Sequence, residues 1–255
     1  MAATLRERIG DAGYALGKKI VWSIDRFYAA RSRVGDHAFF DNRAFPWVPE
    51  VEANWRAVRA ELDQLLPYAA DLPNFQDLSR DQRRLTQDDG WKTYFFYAYG
   101  LKAWQNCRRC PETVKLLRRI PGMKTAFFSI LAPKKRLPMH RGPYKGVLRL
   151  HLALLIPAPA EQCGIRVGSE LRHWEEGKVL IFDDSFPHEA WNDTDRVRVV
   201  LFVDLVRPMR FPANVVNFLM IWAIALSPFV LGTAGNYLRW ERRFEKIVNR
   251  GNPAQ

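Results

Sequence analysis

Short apolar runs alternate with turn residues through the second half of the chain. Clusters of Gly, Pro and Asp separate six runs of strand character, at 91–99, 124–131, 147–156, 163–167, 178–182 and 197–206. Short strands at regular intervals with turn residues between them are typical of a small antiparallel barrel or sandwich. The pattern therefore predicts a β-rich domain in this part of the chain.

Helical periodicity marks the first third of the chain. In residues 49–66 the apolar positions repeat at helical spacing and predict one helix with a buried face: Val51, Trp55, Val58, Leu62 and Leu65. A shorter helix is predicted at 111–119, where Pro111 suits the first turn and residues 120–122 end it. Together with the strands, these helices predict an α+β chain, and 255 residues are enough to bury one sizeable core.

Two further apolar segments lie near the chain ends. Residues 215–235 carry no charge, and about 20 such residues are long enough to cross a bilayer. Pro228 lies within this segment and favours a bend that returns the chain to the same side, or a shallow position in one leaflet. Residues 5–28 repeat apolar positions among Arg and Lys, as in a helix that lies on a membrane surface: Leu5, Ile9, Leu16, Ile20, Ile24 and Phe27. The alternative for both segments is an ordinary core helix.

The net charge of +12 is concentrated at the ends. Residues 1–35 contribute +4 and residues 207–255 contribute +5, so the middle is nearly balanced. Basic ends around a balanced centre predict an anionic surface as partner, and the chain carries no nucleic-acid recognition motif. We therefore predict three parts: a basic amphipathic N-terminal segment (1–35), a central domain with a helical N-terminal part (36–210), and a hydrophobic membrane-associated segment with a basic tail (211–255).

Cysteine usage indicates a reducing compartment. Three cysteines are too few for a disulfide framework, and the first 35 residues lack the compact apolar region of a secretory signal. Cys107 and Cys110 form a CxxC without a second pair, which argues against zinc. Packing near the start of the 111–119 helix is favoured over a redox role.

Charged residues interrupt two of the predicted strands. In 147–156, Arg149 and His151 share one face while four leucines share the other. Arg198 lies in the 197–206 run, whose two faces are both apolar, so its side chain is expected to be enclosed. An enclosed arginine needs an anion nearby. The candidates are a bound carboxylate ligand and three nearby acids: Asp193, Asp195 and Asp204.

Two histidines precede these strands. His140 is predicted in a Pro/Gly-rich loop before the Arg149 strand, and His188 in a loop before the Arg198 strand. Two imidazoles followed by arginines suit a metal beside an anion, and imidazole binds iron and zinc alike. A two-histidine, one-carboxylate iron site would place an acid two residues after the first histidine, but that position is Gly142. From these residues alone, metal binding stays open.

The motifs HRGP, RLHL, W-EEGK and FDDSF-HE-WN, followed by the late arginine, occur in order between about residues 125 and 208. In this region the chain resembles the aspartyl/asparaginyl β-hydroxylase family. The resemblance implies a double-stranded β-helix (jelly-roll) core that uses iron(II), 2-oxoglutarate and O₂. It implies His140 and His188 as metal ligands, and these 2-oxoglutarate contacts: Ser129, Arg149, His151 and Arg198. The family also lacks the iron carboxylate, so Gly142 agrees with its pattern.

The two aspartates of the FDDSF motif are predicted to have different roles, one functional and one structural. Asp184 lies four residues before His188 and is a candidate for a hydrogen bond to water at the metal. For Asp183, turn and strand-end chemistry is expected.

The expected substrate follows from the order of basic and apolar segments along the chain. With its basic ends and apolar segment, the chain resembles bacterial lipid A 2-hydroxylase and ornithine-lipid hydroxylases within the family. We therefore expect hydroxylation of an acyl chain of a membrane lipid, at the cytoplasmic face of the inner membrane. The alternatives are peptidyl Asp/Asn hydroxylation and a catalytically silent membrane-binding barrel. Intact His140, His188 and Arg198 argue against the silent barrel, and the sequence leaves the oligomeric state open.

Overall fold

A computed structural model of the chain describes residues 24–78 and 85–227, with 230, 232, 237, 240–242 and 244. Most of the predicted surface helix at 5–28 and the predicted bend at Pro228 lie outside the described residues.

Two antiparallel sheets form the body of the protein. The larger sheet contains, in order, β1 (Phe39–Phe40), β9 (Val179–Phe182), β6 (Val147–Leu155), β11 (Arg198–Val206), β4 (Met123–Leu131), β2 (Trp91–Ala98) and β3 (Leu101–Lys102). The smaller sheet contains β5 (Lys135–His140), β10 (His188–Asn192), β7 (Cys163–Val167) and β8 (Glu170–His173). Along the chain, β4 to β11 move back and forth between the two sheets. Eight strands connected in this way form a jelly roll, as the sequence predicted.

Seven helices flank the strands in the described part of the chain. They are α1 (Asp25–Arg31), α2 (Val48–Ala53), α3 (Trp55–Leu65), α4 (Phe75–Leu78), α5 (Trp104–Arg109), α6 (Pro111–Leu117) and α7 (Ala213–Ala225). Short 3₁₀ turns lie at Asn42–Ala44, Leu66–Asp71 and Ala160–Gln162. The predicted α+β class is confirmed.

The helix predicted at 49–66 is two helices, which corrects the sequence interpretation. Asn54 separates α2 from α3 with φ −100° and ψ 6°, outside helical geometry. Its side chain donates to the carbonyl of Glu50 at 2.8 Å and so satisfies a backbone acceptor at the end of α2. The apolar repeat continues across this break, and for that reason it suggested a single helix.

Each face of the larger sheet packs into a different core. The leucines of β6 and the odd-numbered apolar residues of β11 face α3 and α6 on the outer side. On the inner side, Leu131, Ala153 and Val200 pack with Ile165 and Ala190 of the smaller sheet. The charged residues of β6 and β11 alternate with the outward-facing ones, so they point between the two sheets.

The three cysteines are free and buried in these cores. Cys107 and Cys110 lie in the outer core, and Cys163 lies in the inner one. Burial raises the pKa of the Cys107 and Cys110 thiols, which keeps them protonated and unreactive. Packing near the start of α6 therefore accounts for the CxxC.

Both candidate histidines lie in strands where the sequence predicted loops. His140 is the last residue of β5 and His188 is the first residue of β10, so β10 also separates His188 from β11. Only Leu137 is buried among the six residues of β5, and β10 alternates buried with half-buried residues. Neither strand has the long apolar run by which the other strands were predicted.

The uncharged C-terminal segment forms a shorter helix than its length suggested. Of the predicted 215–235 segment, α7 includes only the part up to Ala225. A helix of 13 residues spans about 20 Å, against the ~30 Å hydrocarbon thickness of a bilayer. Within the described residues, no helix combines the length and the apolar character that a membrane crossing requires.

Residues beyond this segment return to the protein body. Phe244 is fully buried, and its ring centroid lies 5.9 Å from that of Tyr94 in β2. The Tyr237 ring packs against Phe95 at 5.6 Å. The chain on either side of 226–236 therefore contacts the same jelly roll.

A buried ion-pair cluster joins three parts of the chain near the end of β11. Arg207 and Asp183 pair through Nη2 and Oδ2, and both side chains are inaccessible to solvent. Lys145 Nζ also lies 2.9 Å from Asp183 Oδ2, and Arg207 donates to the carbonyls of Lys145 at 2.7 Å and Gly35 at 3.0 Å. Asp183 accepts a turn hydrogen bond from the Ser185 amide, as expected, but its larger role is this pairing.

We expect Asp183→Ala to destabilise the protein by about 3–5 kcal/mol, because Arg207 would remain buried without a counter-charge. Asp193→Ala is the matched control, since Asp193 pairs with Arg136 at the surface and such pairs contribute only about 0–1 kcal/mol. Urea unfolding of the three proteins measures both differences. Equal stabilities for the two variants would contradict the role of this cluster.

Candidate active site

The paired strands β5 and β10 bring the two histidines together. His140 and His188 are partners in the strand register, and their ring centroids lie 4.0 Å apart. Nδ1 of His140 lies 2.8 Å from the Pro138 carbonyl, and Nδ1 of His188 lies 3.0 Å from that of Phe186. Since a carbonyl only accepts, both rings carry their hydrogen on Nδ1. Each Nε2 is left with a lone pair, which is what a metal ion requires.

Both imidazoles are kept neutral by their surroundings. His140 is half-buried, and this partial burial lowers its pKa to about 4, with the nearby Arg149 charge acting in the same direction. The pKa of His188 is also lowered well below its usual value, first by burial and then by His140 and Arg149. At neutral pH both rings are therefore in the form that binds metal.

In the part of the chain that is described, no group of three His, Cys, Asp or Glu side chains that could hold a metal converges. Gly142 stands where a third ligand would be expected from sequence. A Cβ at this position would overlap the carboxylate of Asp184. The carboxylate of Asp184, which follows β9 in the chain, therefore fills the space at Gly142 beside the histidine pair.

Asp184 is fully buried between charged neighbours. Its Oδ2 lies 2.8 Å from Nη2 of Arg149, but neither carboxylate oxygen has a well-aligned hydrogen bond among the described residues. Burial raises the pKa of Asp184 to about 7, against the opposing effect of Arg149. Its backbone carbonyl accepts from the Gly142 amide at 2.7 Å, which ties it to the loop after His140. Asp184 therefore has hydrogen-bonding capacity that is still free beside the histidine pair.

Arg149 is shared between two acids. Besides Asp184, its Nε donates to Asp204 Oδ1 at 3.1 Å, and its guanidinium lies 4.2 Å from the Phe202 ring centroid. The strand register places Asp204 directly opposite Arg149. Asp204 was a candidate partner for Arg198, and the structure assigns it to Arg149 instead.

Arg198 is buried without a carboxylate partner in the described part of the chain. Only 2% of the residue is exposed, and its guanidinium carbon lies 4.5 Å from the Trp174 ring centroid. Its Nε and Nη1 have no hydrogen-bond acceptor there. The other two candidate acids are also engaged, Asp193 with Arg136 and Asp195 with Lys134.

Such burial lowers the pKa of Arg198 to about 10, which still leaves it charged at neutral pH. Buried donors that lack an acceptor are rare because each costs free energy. The arrangement therefore fits a bound anion, and the planar guanidinium suits a carboxylate.

His151 and Ser129 lie on the same inner face as Arg198. The His151 ring lies 5.9 Å from Trp174 and 5.0 Å from Phe182, and neither ring nitrogen has a partner among the described residues. Burial lowers the pKa of His151 well below its usual value, with Arg198 contributing. The Ser129 hydroxyl accepts from Trp91 Nε1 at 2.9 Å. Polar groups with free capacity are thus grouped between the sheets.

The structure brings together all seven residues singled out from sequence. Sequence reasoning missed the aromatic residues that enclose them: Trp91, Trp174, Phe182 and Phe202. Trp174 contacts both Arg198 and His151, and its position beside Glu175, Glu176 and Gly177 in the W-EEGK motif was the available signal. The Arg149–Asp204 pair could also have been found, because both residues carry charge inside long apolar runs.

The fold and site define a class of protein: a jelly roll with a neutral histidine pair and a buried arginine whose donors have no acceptor among the described residues. Residues 52–208 match the family model described as Aspartyl/Asparaginyl beta-hydroxylase, and the chain belongs to this family. The predicted family and its hydroxylase class are confirmed.

Two curated relatives differ in how much of their length is matched. An ornithine lipid ester-linked acyl 2-hydroxylase from Rhizobium tropici is 45% identical over 87% of this chain and 80% of that protein. The aspartyl/asparaginyl beta-hydroxylase of Homo sapiens is 34% identical over 65% of this chain, but only 22% of that protein is covered.

Among solved structures, the chain is similar to a prolyl-4-hydroxylase from Pseudomonas putida, with 16% identity and a TM-score of 0.38 over 60% of this chain and 87% of that one. The fold described above rests on strand order and not on this likeness.

We expect Gly142→Ala to cost about 1–3 kcal/mol, because the new methyl group must displace the buried Asp184 carboxylate. Gly232→Ala is the control, since no heavy atom of the described residues lies within 4 Å of the position that a Cβ would take. Thermal unfolding compares the two variants with the parent protein. A Gly142→Ala protein as stable as the control would show that Asp184 does not occupy this space.

Proposed function

We propose that the chain is an iron(II)- and 2-oxoglutarate-dependent hydroxylase that acts on an acyl chain of a membrane lipid. One observation carries the reaction class: two histidines with free Nε2 atoms share the space between the sheets with a buried arginine that has no carboxylate partner in the described part of the chain. A metal ion and a dicarboxylate would satisfy both needs at once.

His140 and His188 are the residues that would hold iron(II). When bound, iron(II) with O₂ and 2-oxoglutarate supplies the oxidation that inserts one oxygen atom into a C–H bond, releasing succinate and CO₂. The protein's own contribution is to bind, orient and shield. The neutral imidazoles are already in the ligand form, and their Nδ1 hydrogen bonds fix the ring orientations.

Arg198 would pair with the distal carboxylate of 2-oxoglutarate through two parallel N–H donors. Ser129 lies on the same sheet face and has a hydroxyl hydrogen left to donate, because its oxygen accepts from Trp91. Trp174 covers the guanidinium and excludes water from this end. Stronger electrostatic attraction in a dry pocket favours binding of the dianion.

His151 and Arg149 lie toward the histidine pair and would line the keto-acid end. Arg149 already has Asp184 and Asp204 as partners, so its contact with the cosubstrate stays a prediction. Asp184 fills the gap left by Gly142, and this location supports a hydrogen bond to water at the metal. Its raised pKa lets it exchange a proton near neutral pH.

The lipid substrate is supported by the Rhizobium tropici relative, which matches most of both chains and whose name specifies acyl 2-hydroxylation of an ornithine lipid. Because the cosubstrate would come from the cytosol, we propose that the site lies on the cytoplasmic face of the inner membrane. Peptidyl Asp/Asn hydroxylation is the second candidate, favoured by the human relative. It ranks lower because the match covers about a fifth of that protein.

We expect Arg198→Lys to weaken 2-oxoglutarate binding by about 10- to 100-fold. The variant keeps the charge but loses the two-pronged geometry, a loss of about 1.5–3 kcal/mol. Arg136→Lys, at the exposed pair with Asp193, should leave the KM for 2-oxoglutarate unchanged. The same KM in both variants would place the cosubstrate elsewhere.

The substrate is tested by incubating the purified full chain with iron(II), 2-oxoglutarate and either ornithine lipid in detergent or a peptide that contains Asp and Asn. We expect succinate release coupled to one added oxygen atom on the lipid acyl chain, and none in the His140→Ala or His188→Ala proteins. Oxygen added to the peptide alone would support the second candidate. If neither the lipid nor the peptide leads to succinate release, the proposed enzymatic reaction is wrong.

A further inference from the structure

Helix α7 is apolar on nearly every side, but the described residues cover only one side of it. Its row Ala213, Asn217 and Ile221 is buried against the body. The opposite row is exposed, with Phe218 at 59%, Leu219 at 61%, Trp222 at 55% and Leu226 at 64%. Contiguous apolar surface of this kind marks an interaction site, because water contact with it is unfavourable.

Basic residues surround the start of α7. The exposed arginines on α1 and the adjacent chain are Arg26, Arg31, Arg33 and Arg210. Arg31 donates to the Phe211 carbonyl at 3.2 Å, which fixes α1 beside α7. None of these four arginines forms an ion pair within the ranges that the structure describes. An apolar strip beside unpaired cations complements an anionic lipid surface, whereas a second copy would bring like charges together.

The same helix contacts the loop that follows His140. Asn217 is 1% exposed and donates to the Gly146 carbonyl at 2.7 Å. Gly146 has no space for a side chain, because a Cβ would overlap the Tyr144 ring and Asn217 itself. Residues 141–146 are therefore packed between α7 and the histidine pair, and the position of α7 sets the position of this loop.

We propose that α7 docks the protein on an anionic bilayer, lying in the membrane plane with its exposed row in the lipid. The docking surface consists of Phe211, Val215, Phe218, Leu219, Trp222 and Leu226, beside the four arginines named above. This proposal rests on the proposed function. It adds that the loop at 141–146 lies next to the lipid that supplies the acyl chain. The return of Tyr237 and Phe244 to the jelly roll agrees with a helix that lies along the surface.

Vesicle sedimentation tests the docking surface with the purified full chain. The variant Phe218→Ser/Leu219→Ser/Trp222→Ser should partition onto phosphatidylglycerol-containing vesicles at least about 100-fold more weakly than the parent, since each lost side chain contributes roughly tenfold or more. The matched control is Leu101→Ser/Trp104→Ser/Leu171→Ser, which removes exposed apolar side chains from other surfaces. The control should bind like the parent, and both proteins should bind phosphatidylcholine vesicles less well.

Two outcomes would overturn the proposal. One is vesicle binding by the α7 variant that equals that of the parent, and the other is release of the control, which would move the docking surface to β3, α5 or β8. If the α7 variant keeps vesicle binding but loses dimer mass without vesicles, a second copy is the occupant.

Activity in detergent separates this proposal from the proposed function. The α7 variant should still release succinate with detergent-dispersed lipid, because its substitutions lie outside the site, but should lose turnover of lipid in vesicles. If the α7 variant loses vesicle binding while the parent does not hydroxylate lipid, the docking surface stands and the proposed lipid substrate is wrong.

Discussion

A charged side chain enclosed between two sheets needs a partner of opposite charge, and this requirement organises the interior of the protein. Along the inner face and end of the larger sheet, Arg198 and Arg207 are buried and Arg149 is half-buried. Arg149 is neutralised by Asp184 and Asp204, and Arg207 by Asp183. Of the three, only Arg198 lacks such an acid in the described part of the chain. It lies at the start of β11, whereas Asp204 lies near the end of that strand. The pairings hold the strands and loops in place, and Arg198 is the charge with which the proposed carboxylate ligand would pair.

The histidine pair depends on the same framework. His140 and His188 are opposed because β5 and β10 are paired, and the loop after His140 is held by Gly142, Lys145 and their partners in residues 183–184. Burial keeps the rings neutral while Arg149 adds positive potential beside them. A histidine pair held in this way would bind the proposed metal at a lower free-energy cost, because its rings are already neutral and oriented.

Long apolar runs made the larger sheet predictable, since β2, β4, β6, β9 and β11 each bury both faces. The alternation in β6 and β11 also indicated correctly that Arg198 is enclosed. Short strands of mixed polarity, such as β5 and β10, carry no comparable signal, so the histidines were expected in loops. The partners of Asp183, Arg149 and Arg198 depend on strand register and on residues far apart in sequence. Local patterns cannot supply such pairings, although family motifs pointed to the right side chains.

The position of Asp184 makes two sites in the sequence interdependent. Its carboxylate fills the volume that any side chain at residue 142 would need, although the two residues come from different loops. A carboxylate ligand introduced at 142 could enter only if residue 184 became smaller, and a smaller residue at 184 would leave Arg149 with one acid fewer. A change from two to three protein ligands would therefore require at least two coordinated substitutions, each unfavourable alone. Such a barrier in sequence space would keep the two-histidine arrangement stable through evolution.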